Sequence, residues 1–182
     1  MRILCIGDSN TYGYDPRSAF GSRYPADVRW TDRLGDHDVI NSGMNGLSIP
    51  KDGGPYAALV RSKTPDLVIV MLGSNDLLEG AYAEEAAERM KLFLATLQVA
   101  DVKFFLITPP VMQRGAWVAS DQLIQESAKL GALYRELAEQ NGIFFANAEE
   151  WHVTLTFDGV HFSPEGHAAF AAGLTACLRD IL

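Results

Sequence analysis

Apolar residues along this chain fall into short blocks separated by polar and glycine-rich turns, and the length of each block decides what it predicts. Four runs too short for helices and rich in β-branched or aromatic residues read as buried strands: Ile3 to Ile6, Asp66 to Leu72, Lys103 to Thr108 and Ile143 to Ala146. A weaker run, Asp38 to Asn41, precedes a Gly-rich turn. Between them the period changes to that of a helix. Ala86, Met90, Phe93, Leu94 and Leu97 share one face, as do Leu123, Ser127, Leu130, Tyr134 and Leu137, and Asn141-Gly142 closes the second of these helices. The last helix has the clearest start, with Ser163 as cap, Pro164 in the first position and Glu165 near the positive end of the dipole. Its inward stripe is Phe170, Leu174, Cys177, Leu178 and Ile181.

Strands alternating with helices imply right-handed crossovers and a parallel sheet covered on both faces. The expected architecture is α/β, a three-layer α/β/α sandwich with about five strands. The length of 182 residues suits one domain spanning 1–182, and an apolar share of 48% supplies its core. No stretch reaches the roughly 18 to 20 apolar residues of a membrane span, and Met1 to Cys5 has no basic leader ahead of it. A cytoplasmic protein without a membrane partner is expected. A net charge of −8 repels polyanions, which argues against nucleic acid. The two cysteines, Cys5 and Cys177, lack neighbours at metal-ligand spacing and read as small buried hydrophobes. His37, His152 and His167 pair with no second ligand either, so no metal and no cofactor are expected.

In open parallel sheets, ligands sit beyond the carboxyl ends of the strands. Four polar clusters follow there: Gly7-Asp8-Ser9-Asn10, Asn41-Ser42-Gly43-Met44-Asn45-Gly46, Gly73-Ser74-Asn75-Asp76 and Asp158-Gly159-Val160-His161. Ester cleavage through a covalent intermediate requires a hydroxyl, a neutral imidazole and a carboxylate that orients it. Ser9, His161 and Asp158 supply these, in the chain order Ser, Asp, His. The oxyanion donors are expected to be the N–H groups of Ser9 and Gly46 and the side-chain amide of Asn75. Asp76 is expected to cap the helix that follows it, and Tyr82 to Arg89 reads as a solvated helix face. Among the aromatic residues, Tyr12 and Phe162 are expected in the substrate pocket because each lies within three residues of a reacting group.

At these residues the chain resembles the SGNH hydrolases, also called the GDSL esterases and lipases, with all four blocks in order along its whole length. The segments Ile3 to Tyr14 and Asp27-Val28-Arg29-Trp30-Thr31 look most like the bacterial arylesterase and acyltransferase branch. The sequence departs from the family where Asn10 stands in place of the usual leucine, and in the short stretch from Val111 to Ser120. The resemblance implies a flavodoxin-like SGNH hydrolase fold, a small-molecule ester as substrate with short acyl or aryl groups, acyl transfer to alcohols, and a chain that can form homo-oligomers. Two readings compete with it. One keeps the site but takes acetylated sugars; the other is a flavodoxin-like module in which the loop Ser9 to Gly13 cradles a phosphate.

Overall fold

A computed structural model describes residues 1–18, 20–97 and 102–181. The chain runs through β1 (Arg2–Gly7), α1 (Ser9–Tyr12), a 3₁₀ turn (Trp30–Arg33), β2 (Asp38–Gly43), α2 (Gly54–Lys63), β3 (Leu67–Met71) and α3 (Ser74–Leu78). It continues through α4 (Ala83–Leu97), β4 (Lys103–Thr108), α5 (Asp121–Asn141), β5 (Phe144–Asn147), a second 3₁₀ turn (Ala148–Trp151) and α6 (Pro164–Ile181). The five strands form one parallel sheet in the order β2-β1-β3-β4-β5. All five expected strands are present, shifted by a residue or two at their ends.

Alternation along the strands divides the core in two, because successive side chains in a strand point to opposite faces. Leu4, Ile6, Val68, Val70 and Leu106 point one way and meet Val60 of α2, Met90 and Phe93 of α4, and Leu130 and Tyr134 of α5. Ile3, Cys5, Ile69, Met71, Phe105 and Ile107 point the other way, onto Trp30, Leu34 and the Phe170, Leu174 and Leu178 stripe of α6. Helices thus cover both faces of the sheet, as a sheet buried on both sides requires. Cys5 is buried, Cys177 is half-buried against the second cluster, and both are free thiols.

The helix ends follow their sequence signals. Ser120 accepts a hydrogen bond from the Leu123 N–H at the start of α5, whose other end closes on Gly142 at φ 61°. Ser163 Oγ accepts from the Gly166 N–H at 3.0 Å and so caps α6. Asp76 differs from its expected role. It is fully buried, and its carboxylate accepts from the Ile49 N–H and from Arg89, both at 2.9 Å, rather than capping α3. A buried carboxylate needs charged or N–H partners more than a helix end needs a cap. Arg89, still 40% exposed on the expected solvated face, reaches inward to supply one of them. Among the described residues, no helix is long and apolar enough to cross a membrane.

Candidate active site

The strand β1 ends at Gly7, and α1 begins immediately afterwards with Ser9. A side chain at Gly7 would collide with Thr11, so the turn requires glycine. Asp8 caps the short helix by accepting the Asn10 N–H at 2.9 Å, and Gly13 at φ 89° ends it by donating to the Ser9 carbonyl. Ser9 is thereby held at the carboxyl edge of a central strand with 6% of its surface exposed. Burial drives the Asp8 carboxyl up to about 6, against the N–H bond from Asn10 and the nearby His161, which pull it down.

His161 arrives on the loop before α6. Its Nε2 lies 2.9 Å from Ser9 Oγ, and its Nδ1 lies 2.7 Å from Asp158 Oδ2. An ionised carboxylate can only accept, so the proton sits on Nδ1 and leaves Nε2 free to accept from the serine hydroxyl. The second oxygen of Asp158 accepts the backbone N–H groups of Val160 and His161, each at 2.9 Å. Burial works to raise the Asp158 carboxyl, but the His161 side chain and these two N–H groups outweigh it and hold it at about 2.

The loop carrying Asp158 has no regular structure of its own and is braced by the stretch after β4. Gln113 N–H donates to the Gly159 carbonyl, Ala116 N–H to Phe157 and Trp117 N–H to Asp158, at 3.0 to 3.1 Å. Gly115 presses against the Asp158 backbone so closely that any side chain there would overlap it. This bracing also brings Trp117 edge-on to the His161 ring, 4.9 Å between centroids, while Tyr14 tilts over it at 4.8 Å. On the opposite wall, Gly46 adopts φ 72° with open space around it, so glycine is required there by backbone conformation rather than by crowding. Asn75, in the first turn of α3, donates from Nδ2 to the Leu47 carbonyl at 3.1 Å and ties that helix to the Gly46 turn.

Ser9, Gly46, Asn75 and His161 line one cavity of about 210 Å³, together with Tyr14, Asn45 and Trp117. No charged side chain is among these lining residues. Asp158 lies behind His161, with 0% exposure. Tyr12 and Phe162 fall outside the cavity lining. The Tyr12 ring packs beneath the Arg23 guanidinium at 4.4 Å, and Phe162 is fully buried against Phe170 and His167. The walls are instead Tyr14 and Trp117. Tyr14 stands five residues from Ser9, beyond the turn that ends α1, and nothing in the local sequence separates Trp117 from the other tryptophans. Among the described residues, no three or more His, Cys, Asp or Glu side chains gather where a metal ion could be held.

A family model for GDSL-like lipases and acylhydrolases matches residues 5–169, a span that contains Ser9, Gly46, Asn75, Asp158 and His161. The chain belongs to this family. Its fold is shared from end to end by solved structures of arylesterases and of a carbohydrate acetylesterase. A candidate arylesterase of Agrobacterium tumefaciens strain C58 is 31% identical, with a TM-score of 0.86 over 100% of this chain and 99% of its own. The native aryl esterase of M. smegmatis is 27% identical at a TM-score of 0.86, with the same coverage of both chains. The carbohydrate acetylesterase Est24 of Sinorhizobium meliloti is 26% identical at 0.84, again covering 100% and 99%. No curated protein matches the chain. This SGNH hydrolase is therefore a carboxylic ester hydrolase of the arylesterase branch. The phosphate-module reading is not favoured, since the Asp8 carboxylate already occupies the N-terminus of the four-residue α1 that a phosphate would require.

Proposed function

We propose that the chain hydrolyses small, uncharged esters through an acyl-enzyme on Ser9. The observation that carries this reading is the unbroken hydrogen-bonded line from Ser9 Oγ through His161 to Asp158, opening on a cavity whose lining holds no charged side chain. His161 Nε2 takes the hydroxyl proton as Ser9 Oγ attacks the ester carbonyl, and Asp158 steadies the imidazolium that forms. The negative oxygen of the tetrahedral intermediate is received by the N–H groups of Ser9 and Gly46 and by Asn75 Nδ2. Each such donor contributes about 3 to 4 kcal/mol to the transition state.

Collapse of the intermediate breaks the bond to the leaving alcohol, which leaves with the proton returned by His161. Water then gives its proton to His161 and attacks the acyl-enzyme, and the second collapse releases the acid and restores the Ser9 hydroxyl. An alcohol in place of that water yields a new ester, so acyl transfer uses the same groups in the same order.

The cavity of about 210 Å³ favours short acyl chains, and the aromatic surfaces of Tyr14 and Trp117 favour an aromatic or other apolar leaving group over a sugar. Labelling with a fluorophosphonate followed by peptide mapping tests the nucleophile, with modification expected at Ser9; label at any other residue would overturn the assignment. Rates on phenyl acetate against acetylated xylan test the substrate class. Phenyl acetate is expected to be the better substrate, and faster release of acetate from xylan would transfer the reading to the acetylated-sugar class.

A further inference from the structure

We propose that Asn10 is a positioning residue that holds the base in line with the nucleophile, by gripping the two peptide groups on either side of His161. This rests on the esterase reading above. The Asn10 amide donates from Nδ2 to the Val160 carbonyl at 3.1 Å and accepts at Oδ1 from the Phe162 N–H at 2.9 Å. The first belongs to the peptide unit entering His161 and the second to the unit leaving it. A carboxamide suits this place because it gives and takes hydrogen bonds through separate atoms without carrying charge.

Asn10 is itself immobilised. Its backbone N–H donates to Asp8 and its carbonyl accepts from the buried Trp30 indole, both at 2.9 Å, and it is 3% exposed. The other backbone bonds around His161 come from its own loop: Asp158 takes the Val160 and His161 N–H groups, and the Thr156 N–H donates to the His161 carbonyl. Those bonds shape the loop, and the stretch after β4 braces its Phe157 to Gly159 part, but none of these bonds reaches the segment that carries Ser9. Asn10 does, because it is covalently next to Ser9 and bonds the backbone of the opposite segment without using either reacting side chain.

An apolar residue of similar size would fill the space but leave a buried carbonyl and a buried N–H without partners. The loop would then settle elsewhere, and a displacement of about 1 Å between reacting groups can cost on the order of 100-fold in rate. The test compares wild type with Asn10→Leu, and with Asn10→Asp, which keeps the acceptor toward Phe162 but loses the donor. Leu137→Ala, a core change in α5 remote from the site, serves as a control for lost stability.

On phenyl acetate, Asn10→Leu is expected to lose about 100-fold in kcat with KM within about threefold. Its rate of fluorophosphonate attachment to Ser9 is expected to fall in parallel, and Asn10→Asp is expected to lie between it and wild type. Leu137→Ala, at a similar fall in Tm, is expected to keep kcat within about twofold. Folded Asn10 variants with kcat and labelling rate near wild type would overturn the proposal while leaving the esterase reading intact. An equal kcat loss in Leu137→Ala would overturn it too, by making the effect one of general stability. Should Asn10→Leu fail to fold, Asn10→Asp against Leu137→Ala decides by the same criteria. Wild-type protein inert to both ester and label would remove the esterase reading and this proposal with it.

Discussion

Asp158 holds His161 by ring and backbone at once, with one oxygen on Nδ1 at 2.7 Å and the other on the backbone N–H at 2.9 Å. Orientation of the imidazole and the proton on Nδ1 therefore depend on the same carboxylate. Asp158→Asn keeps the shape but presents an amide that can donate to Nδ1, which moves the ring proton to Nε2 and removes the base. A fall in kcat of about 10⁴ is expected, while Ser9→Ala, with nothing left to attack, falls by about a millionfold. Steady-state rates on phenyl acetate check both. An Asp158→Asn variant at wild-type kcat would contradict the orienting role.

Asn75 lines the cavity and bonds Leu47, which secures the Gly46 turn, and the proposed mechanism adds a second duty as donor to the oxyanion. Asn75→Ala should reduce kcat by about 100- to 1,000-fold with little change in KM, since the developing oxyanion exists only in the transition state. Parallel kcat and KM measurements check this; a change confined to KM would show that Asn75 binds the substrate rather than the oxyanion.

Trp117 is the wall most easily removed, being half exposed and held edge-on to His161. Trp117→Ala should lower the ratio of kcat/KM for phenyl acetate over ethyl acetate by about tenfold, as an aromatic leaving group loses the surface it packs on. An unchanged ratio would place the leaving group elsewhere.

Two buried groups pull the pH dependence of stability in opposite directions. Burial, with Arg33 and Arg29 nearby, holds His167 down at about 4 from an ordinary 6.5, so the unfolded chain binds its proton first and stability is lost as pH falls from 6.5 toward 4. Asp8, raised from 3.8 to about 6, binds its proton more tightly when folded, so its contribution is lost as pH rises through that window. Relative to wild type, His167→Gln should gain stability as pH falls from 6.5 to 4, and Asp8→Asn should gain as pH rises from 3.8 to 6. Each difference has a limiting slope of about 1.4 kcal/mol per pH unit. Urea denaturation across pH 4 to 7 measures both, and slopes of the reverse sign would contradict these assignments.

The sheet was legible because its strands are short apolar runs with nothing else to become. α2 was not, since only Ala57 and Val60 are buried along it and so sparse a stripe leaves no helical period to read. The four polar clusters were legible as one rim because strand ends in a parallel sheet must share an edge, and Ser9, Gly46, Asn75 and His161 do line one cavity. The aromatic walls were not. Tyr12 and Phe162 are near in sequence, but the turn at Gly13 carries the chain back so that Tyr14 faces the imidazole, and the bridge between Leu155 and Phe162 turns Phe162 into the core. Trp117 comes to the site only through backbone pairing with the Asp158 loop, which no local pattern announces.

The bond between Ser9 and His161 joins positions 152 residues apart, one at the start of the first helix and the other in the loop before the last. No fragment lacking either end can carry the pair, and a growing chain acquires it only once nearly all of its length is available. Ester turnover during refolding therefore reports the closing of a loop that spans most of the chain, and its appearance should lag behind recovery of helix signal from α4 and α5.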